Sequence, residues 1–341
     1  MRAIILAGGP SGTGAGMQHA LPRPFWPVLM RPVMIQSLQR MVEGGIRIVT
    51  VCANGRTGEY TDRLSREKLD LDALMFREDT LPRGPAGCVK DAADTLSDEP
   101  FLIADGACWF SDNIKTMFEH HRRLGNALTV FCRPGTSTPS GLYVCERFVV
   151  DIIPTVGYFD IKQQLIPRLL ERGIKVGAVP LSNPSGEIIN ATTYLALHHH
   201  TLIEATKHGN DTWLNNFRKH SSRVYTANDA HIDTTARLYG PIVIGHGARI
   251  EKHAVIVGPT TVGQDAVVEH HAVVIECAVW AGAHIGASTM AEQSIIAPST
   301  QNVQKQAPQT YRQVAHWRGH TNRSLHPETL LRQPVKQEYL S

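Results

Sequence analysis

The sequence predicts an α/β protein with a mostly parallel sheet, followed by a smaller domain of stacked parallel strands. Three observations predict this fold class. Short apolar runs alternate with helical patterns over residues 1–200, as in crossover units that place helices on both faces of a sheet. Aliphatic residues then recur every six positions between Ile244 and Val274. From about Thr300 the chain is polar and has almost no periodicity.

The first domain is predicted to have a Rossmann-like sheet. Its short apolar runs suit buried strands, and its longer segments carry apolar residues at helical spacing. The predicted strands are residues 3–6, 47–52, 101–104, 127–132, 141–144 and 175–179. The predicted helices are residues 32–42, 114–124 and 161–172.

The six-residue period predicts a left-handed parallel β-helix, in which three hexads close one triangular coil. An aliphatic residue points into the coil, and a small residue two positions earlier fits the tight corner. The aliphatic set is Ile244, Ile250, Ile256, Val262, Val268 and Val274, and the small set is Ala248, Ala254, Thr260, Ala266, Ala272 and Ala278.

The end of this repeat is less regular. Trp280 continues the aliphatic register and is predicted to stack inside the last coil, while Val279 and Ile285 continue the spacing after a slip of one residue. We expect roughly two to three coils. Their open end needs a cover, so we expect the β-helix to pack on the first domain or on a second subunit, as in a homo-oligomer.

These patterns divide the chain into a first domain at 1–205, a connector at 206–235, the β-helix at 236–298 and a flexible tail at 299–341. The net formal charge of +3 is too small to indicate a nucleic-acid partner. No apolar run approaches the ~20 residues of a membrane span, so no membrane partner is expected. The six cysteines form no CxxC pair, which predicts reduced thiols in a cytoplasmic protein.

A glycine-rich turn follows the first strand directly, with the sequence Leu6-Ala7-Gly8-Gly9-Pro10-Ser11-Gly12. Glycine lets backbone N–H groups approach a phosphate without a Cβ in the way. No Gly-Lys-Ser/Thr follows, which excludes a Walker loop. A dinucleotide fingerprint beginning at Gly12 would need glycine at Met17. The turn is therefore interpreted as a phosphate-binding loop of another type.

A cation between prolines comes next, in Pro22-Arg23-Pro24-Phe25-Trp26-Pro27-Val28. The prolines hold Arg23 on a stiff extended segment near the same edge of the sheet. Together with the glycine turn, this segment resembles the opening of the sugar-1-phosphate nucleotidyltransferases, also called nucleotide-sugar pyrophosphorylases. The resemblance continues in order through residues 84–87, 101–106, 140–144 and 160–167. With its hexapeptide repeats, the chain resembles mannose-1-phosphate guanylyltransferases and glucose-1-phosphate thymidylyltransferases.

This resemblance implies transfer of a nucleotidyl group from a nucleoside triphosphate to a sugar 1-phosphate, which gives a nucleotide sugar and pyrophosphate. It implies Mg²⁺ as cofactor and these two substrates as partners. The implied catalytic residues are Arg23, Asp105 and Lys162. The implied nucleotide-binding residues are Leu6, Ala7, Gly8, Gly9, Gly12 and Gly87, the sugar-binding residues are Gly141 and Asp160, and the metal ligands are Asp105 and Asn190.

Four positions depart from the family pattern. Gly14 stands where the family has an arginine, and Arg23 replaces a lysine. The aligned metal-binding acid falls on Ala107, so we expect Asp105, on the same side of an extended strand, to replace it. The second acid appears as Asn190. These departures leave open a non-catalytic nucleotide-sugar-binding or regulatory homologue.

Histidines on the β-helix leave open a third function, a hexapeptide-repeat acyltransferase in which one histidine activates an acceptor hydroxyl. Our interpretation of these histidines is that they occupy solvent-facing coil positions: His246, His253, His270, His271 and His284. The adjacent His198, His199 and His200 are interpreted as an exposed helix face or turn, since three consecutive side chains of a helix cannot converge on one ion.

Overall fold

A computed structural model describes residues 1–8, 21–53, 55–78, 82–182, 185–208, 212–298 and 310–312. Gly9 and Gly12 of the predicted phosphate-binding turn, Gly14, and most of the predicted tail lie outside these ranges.

The first part of the chain alternates strands and helices. Its strands are β1 (Arg2–Leu6), β2 (Pro27–Val28), β3 (Arg31–Pro32), β4 (Ile48–Cys52), β5 (Ala73–Arg77), β6 (Phe101–Asp105), β7 (Cys108–Trp109), β8 (Leu128–Cys132), β9 (Pro139–Cys145), β10 (Val176–Pro180) and β11 (Gly186–Glu187). Its α-helices are α1 (Val33–Glu43), α2 (Thr57–Leu64), α3 (Gly84–Asp91), α4 (Ile114–Leu124), α5 (Ile166–Glu171) and α6 (Ala191–His208). Shorter helical turns are Arg23–Phe25, Ala93–Thr95, Arg147–Ile152, Thr212–Asn216 and the π-helical Ile161–Leu165.

Seven strands form the main sheet, in the order β10-β8-β9-β6-β1-β4-β5. All neighbours are parallel except β9, which runs antiparallel to both β6 and β8. Side chains of β1 alternate between two buried clusters, with Ile5 in one and Ile4 in the other. The sheet is therefore covered on both faces, which is why its central strands are almost wholly apolar. The predicted α/β fold class is confirmed.

Several elements of this domain are absent from the predicted set. They include the two-residue strands β2, β3, β7 and β11, and the longer elements β5, α2 and α3. Every residue of β5 is only half-buried, because the strand lies at the edge of the sheet. An edge strand lacks the continuous apolar run by which the inner strands are recognised. α3 has a short and weakly patterned apolar face, although it buries Ala86 and Val89.

The second part of the chain is a parallel β-helix. Its strands, with two flanking strands, are β12 (Arg218–Ser221), β13 (Val224–Thr226), β14 (His231–Ile232), β15 (Arg237–Tyr239), β16 (Ile242–Ile244), β17 (Arg249–Ile250), β18 (Val255–Val257), β19 (Thr260–Val262), β20 (Val267–Val268), β21 (Val273–Ile275), β22 (Ala278–Val279), β23 (His284–Ile285), β24 (Met290–Glu292), β25 (Ser294–Ile296) and β26 (Thr310–Arg312). The three faces are β13-β16-β19-β22-β25, β14-β17-β20-β23 and β15-β18-β21-β24. The six aliphatic hexad residues are at most 2% exposed, so their inward orientation is confirmed. The left hand stays a prediction from the repeat.

The β-helix is longer than predicted. Two of its faces have four stacked strands each, rather than two to three coils, and the first coil strand begins at Val224 inside the predicted connector. Ile232 and Leu238 pair with Ile250 and Ile256 of the next coil. These two residues continue the six-residue register toward the N-terminus, so the sequence does carry a signal for the additional coil.

Trp280 corrects one prediction. The spacing between coils falls from 18 to 17 residues, since Val262 pairs with Val279 whereas Ile244 pairs with Val262. Val279 therefore takes the inward position, and the indole of Trp280 packs outside the coil against Trp26 and Tyr194. The prediction that Trp280 stacks inside the last coil is wrong.

Helix α6 lies between the β-helix and the sheet domain, and apolar residues of all three form one buried cluster. This contact confirms that the β-helix packs on the first domain.

The interpretation of His198 as exposed is wrong, since its side chain is 1% exposed. The imidazole Nε2 of His198 lies 3.0 Å from Oγ1 of Thr261. Burial, assisted by neighbouring His199, lowers the pKa of His198 to about 3, so this ring is neutral in the interface.

Candidate active-site cleft

A cleft opens at the carboxyl ends of the central strands. β1 and β6 run parallel with Leu6 opposite Asp105, so the two strands end at one edge of the sheet, where Gly8 and Asp105 line the same cavity. The cavity has a volume of about 310 Å³. It is lined by Leu6, Gly8, Cys52, Pro82, Gly84, Pro85, Cys88, Asp105, Gly141, Tyr143, Tyr158, Asp160, Ile161, Lys162 and Glu187.

Asp105 is the carboxyl group of this cleft whose pKa is raised by its surroundings. Its Oδ1 accepts a hydrogen bond of 2.8 Å from the backbone N–H of Ala107. Burial, reinforced by the charge of Glu187, raises the pKa of Asp105 to about 6, although the Ala107 N–H, Arg23 and Lys162 act in the opposite direction. A raised pKa means that the cleft does not fully compensate the negative charge with its own groups.

Ala107 cannot take the role that the aligned family acid would have. Its side chain is 3% exposed and packs in the apolar cluster beneath α6. Asp105 lines the cleft, and both Asp105 and Ala107 line an adjoining recess. The role of Asp105 in place of the aligned acid stays a prediction.

Arg23 lies in a small recess that adjoins the cleft and that Leu6, Ala7, Gly8 and Asp105 also line. Its Nη1 donates hydrogen bonds of 3.2 and 3.1 Å to the carbonyl oxygens of Ile188 and Ile189. These bonds hold the guanidinium beside the glycine turn, where a planar donor can contact phosphate oxygens.

Glu187 is a site residue that the sequence analysis missed. Its Oε2 lies 3.8 Å from Nζ of Lys162 and 3.6 Å from Nη2 of Arg133. The two-residue strand β11 pairs antiparallel with β7, just after Asp105, and so brings Glu187 into the cleft. The available signal was an acid three residues before Asn190, which caps the long helix α6. A two-residue strand has no periodicity by which to recognise it.

Asn190, the predicted second metal ligand, has another role in the structure. Its Oδ1 accepts a hydrogen bond of 2.9 Å from the backbone N–H of Thr193, which is the geometry of a helix N-cap. Asn190 is exposed and is not one of the described residues that line the cleft. The cleft contains two further carboxylates, Asp160 and Glu187, and the charge of Glu187 acts on Asp105.

The other predicted residues are distributed as follows. Leu6, Gly8, Gly141, Asp160 and Lys162 line the cleft, and Ala7 lines the adjoining recess. The Oδ1 of Asp160 also accepts a hydrogen bond of 2.7 Å from the backbone N–H of Gln163. Gly87 is buried in α3 against Arg83. Gly84 and Pro85, at the start of this helix, form the wall instead.

Gly141 is expected to be intolerant of substitution. Its φ is +91°, and an added Cβ would lie 2.9 Å from Cβ of Asp105. Gly141→Ala would therefore strain β9 and push Asp105 out of place. We expect a loss of at least about tenfold in turnover, measured as pyrophosphate release. Gly186→Ala, which has open space for a Cβ, is the matched control, and equal activity of the two variants would contradict the close packing described here.

A larger cavity of about 890 Å³ lies between α1 and the β-helix, with Arg40, Trp213, His246 and Trp280 in its walls. None of the predicted site residues lines it. The smaller cleft therefore holds the groups whose chemistry the sequence predicted.

Comparison with known proteins identifies a family that this chain resembles. The sequence model of the nucleotidyl transferase family matches residues 2–143, which contain β1, Arg23, Asp105 and Gly141. The resemblance to this family is thereby confirmed. Within the described ranges, no helix has the length and apolar character needed to span a membrane.

Two related sequences are informative. A mannose-1-phosphate guanylyltransferase catalytic subunit beta of Drosophila pseudoobscura pseudoobscura is 30% identical over 135 residues, which are 38% of this chain and 36% of that protein. A UTP–glucose-1-phosphate uridylyltransferase of Synechocystis sp. is 22% identical over 224 residues, which are 52% of this chain and 58% of that protein. The chain thus spans little more than a third of the length of the insect relative.

Solved structures share the fold. HddC of Yersinia pseudotuberculosis, crystallised with GMP-PN, superposes with a TM-score of 0.51 and 14% identity over 58% of this chain and 97% of that chain. A putative glucose-1-phosphate thymidylyltransferase of Bacillus anthracis, in complex with a sucrose, has a TM-score of 0.52 and 15% identity over 58% of this chain and 94% of that one.

Proposed function

We propose that this chain, whose residues 2–143 match the nucleotidyl transferase family, transfers a nucleotidyl group from a nucleoside triphosphate to a sugar 1-phosphate. The products are a nucleotide sugar and pyrophosphate. A phosphate oxygen of the sugar 1-phosphate forms a bond to the α-phosphorus of the triphosphate, and the bond from that phosphorus to the pyrophosphate oxygen breaks.

One observation supports this proposal above all. Three carboxylates, Asp105, Asp160 and Glu187, share a cleft with the cation Lys162 and with Gly8, and Arg23 adjoins it. Phosphoryl transfer requires the protein mainly to position anions and to stabilise the charge that develops, rather than to supply a nucleophile of its own. A cleft with mixed charges, at the carboxyl edge of a parallel sheet, suits two phosphorylated substrates.

The acidic pair fits a divalent cation. The pKa of Asp105 is raised by burial and by the charge of Glu187, so a cation held by these two groups would favour the ionised form of Asp105. Carboxylate oxygens are the ligands that Mg²⁺ prefers, and it commonly needs only one or two of them beside substrate phosphates. Within the described ranges no group of three or more acidic, histidine or cysteine residues forms a metal site. We therefore infer that Asp105 and Glu187 hold Mg²⁺ jointly with the substrate.

Bound Mg²⁺ would neutralise the developing charge on the phosphate oxygens. Groups of the protein would bind and orient the two substrates. The backbone N–H groups after Leu6 and the guanidinium of Arg23 would bind the triphosphate. Lys162 and Arg133, which both approach Glu187, would orient the sugar phosphate. Gly141 would leave room for the sugar above β9.

Tyr158 is proposed to contact the substrate directly. Its side chain is 59% exposed at the wall of the cleft, and an added Cβ on Gly84 would lie 2.9 Å from the ring. One side of the Tyr158 ring thus packs against Gly84, and the exposed side could stack on a substrate. Tyr158→Ala is expected to raise the KM of one substrate about five- to twentyfold with little change in kcat, because a stacked ring contributes about 1–2 kcal/mol. Phe148→Ala, another exposed aromatic residue that does not line the cleft, is the control, and a similar KM for both variants would argue against this contact.

The direct test is a pyrophosphate-release panel of four nucleoside triphosphates against several hexose 1-phosphates, with and without Mg²⁺. Turnover of at least one pair, dependent on Mg²⁺ and lost in Asp105→Asn, would support the proposal. The sequence substitution at Gly14 favours a second candidate, a non-catalytic nucleotide-sugar-binding or regulatory homologue. Tight binding of a nucleotide sugar without turnover of any pair would favour that candidate.

Acyl transfer from the β-helix histidines has less support. His246, His253, His271 and His284 are exposed, as predicted, and His270 is half-buried. A ring nitrogen of His246 lies 3.0 Å from a carboxylate oxygen of Asp229, and one of His284 lies 2.7 Å from a carboxylate oxygen of Glu269. Both contacts are at the surface of the β-helix. The cytoplasmic location and the possible homo-oligomer stay predictions.

A further inference from the structure

We propose that the β-helix positions the catalytic cleft through a buried hydrogen-bonded junction at Tyr194, so that Tyr194 and Trp280 are positioning residues for the reaction. This inference rests on the function proposed above. It extends that function by assigning the β-helix a role in activity that goes beyond covering an apolar surface.

The centre of this junction is the hydroxyl of Tyr194, which makes two hydrogen bonds. Tyr194 is fully buried. Its hydroxyl accepts a hydrogen bond of 3.0 Å from the indole Nε1 of Trp280 and donates one of 2.6 Å to the carbonyl oxygen of Pro27. The rings of Tyr194 and Trp280 meet edge to face, with centroids 6.2 Å apart. In a buried site an unpaired polar group is costly, so the three groups hold one arrangement.

The Pro27 end of the junction leads to Arg23. Trp26, whose ring is 5.5 Å from Tyr194 and 5.9 Å from Trp280, donates its backbone N–H to the carbonyl oxygen of Arg23 at 3.0 Å. Its indole Nε1 also donates to the carbonyl oxygen of Leu21 at 3.0 Å. Through Trp26, the short turn that carries Arg23 therefore contacts the aromatic rings of Tyr194 and of Trp280 in the β-helix.

The α6 end of the junction leads to Glu187. Ile188, which follows Glu187, is fully buried in the cluster that contains Tyr194 and Trp280. Its backbone N–H donates to the carbonyl oxygen of Ala107 at 2.9 Å, and its own carbonyl oxygen accepts from Arg23. The segments that carry Arg23, Asp105 and Glu187 are therefore linked to one another and, through Tyr194, to the β-helix.

The same interface contains a natural control. His198 and Thr261 also form one hydrogen bond between α6 and the β-helix. The ring of His198 packs beside Tyr194, with centroids 5.5 Å apart, but among the described residues no hydrogen bond joins the side chain of Thr261 to the segments that carry Arg23 or Glu187. Thr261→Val removes that bond at nearly constant shape, whereas Tyr194→Phe and Trp280→Phe each remove bonds of the junction. All three substitutions are expected to lower the melting temperature of the chain by a similar few degrees.

The experiment compares these variants in the full chain, by steady-state kinetics with Mg²⁺ varied and by hydrogen exchange of residues 21–32 and 185–190. We expect Tyr194→Phe to lower kcat/KM about tenfold and to raise the Mg²⁺ concentration required for half-maximal rate. Trp280→Phe should show a smaller loss in the same direction. Both should increase exchange in these two segments, and Thr261→Val should leave rate, Mg²⁺ dependence and exchange within about twofold of the unsubstituted chain.

Equal kinetics and equal exchange for Tyr194→Phe and Thr261→Val would overturn the positioning role while leaving the proposed function intact. A chain with no turnover in the substrate panel would instead contradict the proposed function. In that case the hydrogen-exchange comparison still decides whether Tyr194 holds the two segments, because it requires no substrate.

Discussion

Asp105→Asn is expected to lower the rate of pyrophosphate release by at least about 10²–10³-fold, the range found when one preorganised electrostatic contact is removed. An amide keeps the shape of the side chain and can still accept the 2.8 Å hydrogen bond from the N–H of Ala107. The loss would therefore report the missing charge rather than a disrupted strand. The measurement is Mg²⁺-dependent turnover with the best substrate pair of the panel.

The same substitution is expected to stabilise the metal-free protein at neutral pH. The pKa of Asp105 is raised from 3.8 to about 6, so ionisation of the carboxyl group disfavours the folded state. This group's contribution to stability is greatest below about pH 4 and falls as the pH rises to about 6. A shift of this size corresponds to about 2–3 kcal/mol, which Asp105→Asn would recover above pH 6.

Chemical denaturation in EDTA at pH 4 and pH 7.5 measures this effect. Asp98→Asn, an exposed acid, serves as the matched control and should change the free energy of unfolding by less than about 0.5 kcal/mol. Added Mg²⁺ should stabilise the unsubstituted chain more than Asp105→Asn. Greater stability of the unsubstituted chain at pH 7.5 without metal would contradict the electrostatic description of the cleft.

Glu187→Gln and Asn190→Ala are expected to have opposite profiles. Glu187 lies in the cleft beside Lys162, so the loss of its charge should lower turnover about 10²–10³-fold and raise the Mg²⁺ requirement. Asn190 caps α6, so Asn190→Ala should cost about 1 kcal/mol of stability and keep most of the activity. Steady-state kinetics and thermal unfolding, measured on both variants, distinguish a loss of turnover from a loss of stability.

The reverse result, with activity lost in Asn190→Ala and retained in Glu187→Gln, would return Asn190 to the role of metal ligand. Asn190→Asp provides an additional comparison, because aspartate also caps helices well. If Asn190 is only a cap, this variant should match the unsubstituted chain in both stability and activity.

Much of the fold could be predicted because both of its regular periods appear directly in the sequence. The buried strands β1, β4, β6 and β8 are apolar on both faces, so their runs are continuous. The hexads of the β-helix repeat because each coil places an equivalent residue inside the same triangular section. The edge strand β5 was missed, since half-buried residues produce no comparable signal.

One part of the site could be predicted because it follows regular strands. Leu6 and Asp105 end neighbouring parallel strands, so their meeting at one edge follows from the topology. Glu187 lies 82 positions after Asp105 in the chain and reaches the cleft through a two-residue strand. Asn190 was assigned in its place because sequence alone does not distinguish a carboxylate aimed into a cleft from an amide that caps the next helix.

By itself, the sequence determined the α/β sheet and the hexad interior of the β-helix, because these depend on local periodicity. It also determined that Leu6 and Asp105 end at one edge of the sheet, because parallel strands share a direction. Only the tertiary structure decided that Glu187 lies in the cleft, that Asn190 caps α6, and that Trp280 faces Tyr194 instead of the coil interior. Those outcomes depend on contacts between distant segments and on a one-residue change in coil length, and the physical reason is that packing places a side chain by its three-dimensional neighbours.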